Sequence, residues 1–227
     1  MELQYTIKRS SKRKKLGITV ERDRSIVVHA PMTLPDAKVQ ELVDSKRQWI
    51  YQKLQHPQKY QDLPHPPGKE LVNGESALFL GYQYQIEFVT SGTKKIQFDR
   101  KFIIPEAMVT QKKDVMRRWY IEKAEEIILA KAQYYAKNLG VQYRSVNIVD
   151  NRYRWGSCTV ADNLNFNWRL IKAPMFVIEY IVVHELAHLI ESNHTARFWN
   201  IVKAQLATTE KAKRWLVENG QLLEEEI

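Results

Sequence analysis

Hydrophobic and polar residues alternate with a period of two in three short runs near the start of the chain: Leu3 to Lys8, Leu16 to Glu21, and Ser25 to Ala30 before Pro31. Such alternation puts one side of a strand in a core and the other in water, so the runs predict a small antiparallel sheet. Pro35 and Asp36 then open a stretch in which Val39, Leu42, Val43, Trp49, Ile50 and Leu54 recur at helical spacing. It predicts one amphipathic helix with Trp49 on the buried side. Four prolines fall within the thirteen residues from His56 to Gly68. No regular element tolerates that density, so the segment is expected to be a connector that leaves His56 and His65 exposed.

Two more strand-like runs follow, Ser76 to Val89 and Lys95 to Ile104, the first expected to turn or bend at Gly81 and the second ended by Pro105. From about Gln111 to Asn138 the pattern is helical, with Val115, Trp119, Ile127, Ile128 and Tyr135 apolar and Gly140 as a terminator. Its aromatic residues are expected to pack against the apolar helix farther along. Val146 to Val149 reads as a short strand, Ala161 to Asn163 as a hairpin, and Leu164 to Ile171 as the returning strand. After Ala173 and Pro174, residues Met175 to Ile190 are apolar nearly all round, which marks a buried helix. The last segment, KAKRWLVENGQLLEEEI, predicts a short helix and an acidic end.

These elements give an α+β chain: an amino-terminal antiparallel sheet with one helix, followed by a core of long helix, short sheet and buried helix. They form either two regions, 1–105 and 106–227, or one continuous body. The 227 residues are ample for a core, and the single cysteine excludes an intrachain disulfide. No apolar run opens the chain and none is long enough to cross a membrane, so no membrane partner and a cytoplasmic location are expected. Oligomeric state is not legible. The net charge of +9 is uneven: KRSSKRKK at 8–15 has six basic groups and no acid. A solvated hairpin tip and a phosphate-binding cluster both account for it.

The buried helix changes the picture, because it carries polar groups that need partners. VVHELAHLIESNHTARFW, from Val182 to Trp199, holds three of the six histidines. His184 and His188 lie one turn apart on one face and can share a metal ion, while Glu185 is offset around the helix, toward a water rather than the metal. This is the layout of a zinc hydrolase, which needs a third protein ligand. His194 and Glu191 both offer one. Glu191 shares the helical face, whereas His194 requires the chain to turn at Ser192 and Asn193, where Asn tolerates the left-handed conformation, and to restart with Thr195 as cap. His194 is favoured because nitrogen ligands are common for zinc and the turn residues then have a reason to be there.

HELAHLIESNHTARFW, together with RWGSC at Arg154 to Cys158, resembles the YgjP-like zinc metallopeptidases, relatives of the SprT-like and WLM zincins. LQYTIKRSSKRKKLGITV and PDAKVQELVDSKRQWIYQKL resemble that family's opening strands and first helix. The resemblance implies a zincin-like core, a Zn2+ site of His184, His188 and His194, and Glu185 as general base. It raises the standing of the loop at 151–158, whose edge could hold an extended substrate and whose Arg152, Arg154 and Trp155 are candidate substrate-binding residues. Cys158 is expected to be a buried thiol. The expected activity is peptide hydrolysis. Hydrolysis of a nucleotide phosphoanhydride and a DNA-associated SprT-like protease are the alternatives, although no nucleic-acid motif supports the latter.

Overall fold

A computed structural model describes residues 3–11, 13–20, 24–54, 68–90, 95–151, 154–225 and 227. The chain divides into two compact units, Met1–Pro64 and His65–Ile227. Strands and helices mix in both, giving an α+β protein with small sheets and, among the described residues, six α-helices.

In the first unit, β1 (Thr6–Ser10), β2 (Gly17–Val20) and β3 (Ile26–Pro31) form a sheet in the order β1-β3-β2. Ile18 pairs with Val28 antiparallel, but Ile7 pairs with Val28 parallel. The sheet is therefore mixed and not antiparallel as expected, because alternation fixes which face a side chain takes but not its strand's direction or neighbour. The expected single helix is also two, α1 (Asp36–Ser45) and α2 (Arg47–Leu54). At the break, the Ser45 hydroxyl donates to the Leu42 carbonyl at 2.7 Å, the local bonding by which serine loosens a helix.

Val39, Val43 and Ile50 form the buried stripe of this pair and pack with Val20, Ile26, Val28 and Ala30. Trp49 corrects the sequence reading: it is 39 % exposed, with the Lys53 ammonium 5.9 Å from its ring centroid. Helical spacing assigned it to the core, but Ile50, one position farther round, takes the central place. Within the basic segment, Arg9 is structural. Its guanidinium donates to the Pro31 and Leu34 carbonyls at 3.0 and 2.6 Å and pairs with Asp36, holding the turn from β3 into α1.

The second unit begins with a four-stranded sheet, β4 (Ser76–Phe79), β5 (Tyr82–Val89), β6 (Gln97–Phe98) and β7 (Phe102–Pro105), in the order β4-β5-β7-β6. The first run does turn at Gly81, as expected, with Gly81 at φ 86°. The second run is a hairpin turning through Arg100 at φ 51°. A β-carbon on Gly81 would lie 2.7 Å from Pro174, so glycine lets this turn close onto the entrance of the next-but-one helix. Residue 105, where the sequence suggested a division, lies inside this unit: Phe79, Ile86, Phe102 and Ile104 share one core with the long helix α3 (Lys112–Leu139).

Trp119 of α3 packs in that sheet's aromatic cluster, 4.9 Å from Phe79 and 5.1 Å from Phe102 between ring centroids. The expected aromatic contact between α3 and the apolar helix is made by Tyr135, hydrogen-bonded to Glu179, which also pairs with Lys131 at 2.6 Å. The third sheet has β8 (Ser145–Val149), β9 (Gly156–Cys158) and β10 (Asn163–Asn167) in the order β8-β10-β9, which leaves β9 at an edge. β10 stops at Asn167, short of the expected Ile171. The Asn167 carboxamide accepts from the Arg169 amide at 3.0 Å and starts a 3-10 turn, Trp168–Lys172. Then come α4 (Met175–Ala187), α5 (Ala196–Gln205) and α6 (Thr209–Leu223), the last longer than the short helix expected.

Lys172 at the end of that turn is 3 % exposed. Its ammonium donates to the Leu223 and Glu225 carbonyls at 3.2 and 2.7 Å, fastening the segment after α6 to the core. Burial, reinforced by the Arg169 charge, pulls its pKa down to about 7.

Candidate metal centre

α4 is buried along Val177, Ile178, Ile181, Val182, Val183 and Leu186, so its position is set by packing, not by its polar residues. Pro174 precedes its first turn, where a missing amide hydrogen costs nothing. The helix ends at His188. The Leu189, Ile190 and Glu191 amides close its last turn onto Leu186 and Ala187, and the chain reverses through Ser192 and Asn193. No residue of this reversal is left-handed, contrary to the role expected of Asn193; non-glycine residues with positive φ among the described residues lie elsewhere. Thr195 caps α5 as expected, its hydroxyl oxygen accepting from the Phe198 amide at 3.3 Å.

The reversal brings His194 back over the helix. His184, His188 and His194 each offer a ring nitrogen, and these atoms all lie within 4.8 Å of one another. The ring centroids are 5.0, 4.9 and 4.8 Å apart, with Nε2 of His184 only 3.0 Å from Nε2 of His194. His188 Nδ1 lies 3.2 Å from the Glu191 carbonyl oxygen. A proton on Nδ1 donated to that oxygen leaves Nε2 with a free lone pair, the usual way a protein orients a ligand histidine.

Glu191 therefore enters the site through its backbone. Its carboxylate turns to the Asn193 amide at 3.5 Å and is not in the histidine group.

Burial, then repulsion from His188 and His194, drives the His184 pKa down to about 3. Burial and His188 also lower that of His194. Both rings are thus neutral at pH 7, the state a metal needs, and Nδ1 of His184 is buried without a hydrogen-bond partner among the described residues. Three converging imidazoles, two of them held neutral, fit a divalent metal ion. Phe198, fully buried, backs all three rings at centroid distances of 4.9, 4.6 and 4.8 Å.

Glu185 is 6 % exposed. Burial raises its carboxyl to about 7, opposed by the Cys158 amide, which donates to it, and by the Arg154 charge. β9 lies directly against it. A β-carbon on Gly156 would sit 2.6 Å from Glu185 Oε1 and 2.7 Å from its Cγ, so no other residue leaves room for the carboxyl. The glycine of RWGSC is a close-approach residue.

The model of the YgjP-like metallopeptidase domain matches residues 14–219 of this chain. The chain belongs to the YgjP-like metallopeptidase family. It is a metal-dependent hydrolase, and the family implies a divalent metal. No curated protein matches it. Two solved structures show a partial likeness. One is the metallopeptidase zymogen abylysin of Pyrococcus abyssi, 19 % identical, TM-score 0.36, with 40 % of this chain and 93 % of that one covered. The other is the metallopeptidase zymogen jannalysin of Methanocaldococcus jannaschii, 18 % identical, TM-score 0.35, with 42 % and 96 % covered. No helix among the described residues is long and apolar enough to cross a membrane.

Beside the histidines of this YgjP-like chain, the other candidate residues take different places. Arg154 is exposed and close enough to Glu185 to lower its pKa. Trp155 is half-buried, and its ring lies 3.8 Å from where a β-carbon on Gly220 of α6 would be. Arg152 lies outside the described residues, as do His56 and His65. Cys158 is half-buried, its Sγ 3.7 Å from the Thr159 carbonyl oxygen. Burial and the Glu185 charge push it up to about 11, so it is a neutral thiol. Phe198 escaped the sequence reading, although its place four residues after His194, one turn along if helical, was a usable signal.

Proposed function

We propose that this metallopeptidase is a zinc enzyme in which His184, His188 and His194 hold the ion and Glu185 moves the proton. The donor set supports zinc, since three neutral imidazoles with a fourth position free are a common catalytic ligand set for that metal. Zinc, when bound, supplies a Lewis acid that acidifies water and polarises a carbonyl.

The chain's own groups do the rest. Glu185, with a pKa of about 7, is balanced between accepting a proton from water and returning it to the leaving amine at neutral pH. Gly156 and the Cys158 amide fix the carboxyl's position. The edge of β9 away from β10, where the Cys158 amide is taken by Glu185, offers its remaining main-chain groups to an extended peptide, which would run beside it and pass Glu185. Arg154, exposed beside the same carboxyl, is placed to hold a substrate carboxylate or carbonyl.

The observation that carries this reading is the convergence of three ring nitrogens one residue from a buried, near-neutral glutamate. The family's description gives no support to the nucleotide or DNA alternatives. Zinc-loaded protein incubated with casein, a nucleoside triphosphate panel and DNA tests the choice. New peptide amino groups are expected; release of phosphate or pyrophosphate without peptide cleavage would overturn it.

A further inference from the structure

Two of the three histidines have an evident means of orientation. His184 is fixed on α4, and His188 is tied through Nδ1 to the Glu191 carbonyl. His194 sits exposed after a reversal, and among the described residues its only hydrogen-bonding neighbour is His184 itself. A ligand on a loop pays rotamer entropy on binding unless something restricts its ring beforehand.

Trp199 meets that need. Its indole lies against the His194 imidazole with centroids 5.7 Å apart and planes 23° from parallel, the flattest of the ring pairs around the site. The indole is held in turn by α6: the Lys213 ammonium is 4.6 Å from its centroid. Glu210 pairs with Lys213 at 3.3 Å and with Lys203 of α5 at 3.0 Å, so α5 and α6 are fastened next to the stack. Gly220, seven residues and two turns after Lys213, is the residue that meets Trp155. One face of α6 therefore supports the tryptophan of each motif.

We propose that Trp199 is a positioning residue for His194, its flat face replacing the hydrogen bond by which a ligand histidine is usually oriented, with Lys213 holding the indole. This rests on His194 being a ligand, as proposed above. A tryptophan that only filled space would be served equally by any apolar side chain of sufficient bulk; a positioning stack needs a flat ring.

Zinc affinity of the full chain, measured by competition with a chromophoric chelator and paired with thermal melts of the metal-free protein, separates the two. Trp199→Leu and Trp199→Met are expected to weaken zinc about tenfold or more, the range for lost ligand-orienting partners. Trp199→Phe is expected to restore affinity to within about threefold of the parent, because a flat ring remains. Lys213→Met, at a partly exposed site where folding is not at stake, is expected to cost about two- to fivefold. His194→Ala tests the underlying assignment, and parent-like affinity there would remove His194 from the ligand set. If His194→Ala weakens zinc while folded Trp199→Leu or Trp199→Met binds it as the parent does, the positioning role is overturned. Should neither Trp199 variant fold, parent-like affinity in Lys213→Met would overturn it.

Discussion

Gly156 and Glu185 occupy space that only a glycine leaves open: a β-carbon at 156 would come within 2.6 Å of the Glu185 carboxylate oxygen. The strand edge offered to substrate and the carboxyl proposed to move the proton are thus one packed arrangement. Gly156→Ala is expected to displace one or the other. A shift of about 1 Å in such a group costs on the order of a hundredfold in kcat/KM, and the overpacking about 1 to 3 kcal/mol of stability. Zinc content is expected to stay at the parent value. An alanine variant with parent kcat/KM would show that the contact relaxes without consequence.

Glu185→Gln and His188→Ala separate proton transfer from metal binding. Glutamine keeps the shape and loses the base, so the variant is expected to hold zinc and lose about a hundred- to ten-thousandfold in turnover. His188→Ala is expected to lose both. Metal analysis and peptide hydrolysis on the same preparations check the pair, and a fully active glutamine variant would remove Glu185 from the mechanism.

Removing the metal has a stability signature as well as a kinetic one. Converging imidazoles bind an ion only when the fold has brought them together, so zinc, as the proposed metal, is expected to stabilise the native state by mass action. At a free concentration of about one hundred times Kd the gain is about 2.7 kcal/mol. The melting temperature is expected to rise with zinc and fall with chelator. His184→Ala, with one ring missing, is expected to respond far less.

Lys172 gives a pH dependence remote from the metal. Its native pKa is lowered to about 7 from an ordinary 10.5. Between those values the unfolded chain binds the proton and the native state does not, so this group makes stability rise with pH across the window. Below about pH 7 both states are protonated, and its contribution is constant at its least favourable. Full protonation of the unfolded chain corresponds to a penalty on the order of several kcal/mol. Lys172→Met is expected to abolish this rise between pH 7 and 10, although it also removes the bonds to the Leu223 and Glu225 carbonyls. Urea melts across that range decide it; an unchanged slope in the variant would assign the pH dependence to other groups.

The residues of the candidate site were legible in the sequence because most of them are local. His184, Glu185 and His188 sit within one helical turn, the apolar run around them marked a buried helix, and Thr195 announced the next one. Those inferences need only the helical repeat and the cost of burying polar groups. The choice between His194 and Glu191 was open at that level, since it turns on which way the chain leaves the helix. In the folded chain the Glu191 carbonyl faces His188 and the His194 ring faces His184.

Long-range relations were not legible. Alternation marked β1 as a strand, yet its parallel pairing with β3 depends on how the connection crosses the sheet. Helical spacing placed Trp49 inside, yet Ile50 took the interior.

The sequence by itself determined most of the helical and strand-forming runs and the residue types of the candidate metal centre, because hydrophobic period and spacing act within a few residues of chain. Only the tertiary structure decided that Gly156 must be glycine, that Phe198 backs all three imidazoles, and that Lys172 is buried near neutral pKa. Each of these depends on atoms from segments far apart in the chain sharing one small volume, and packing of that kind leaves no periodic trace in either segment.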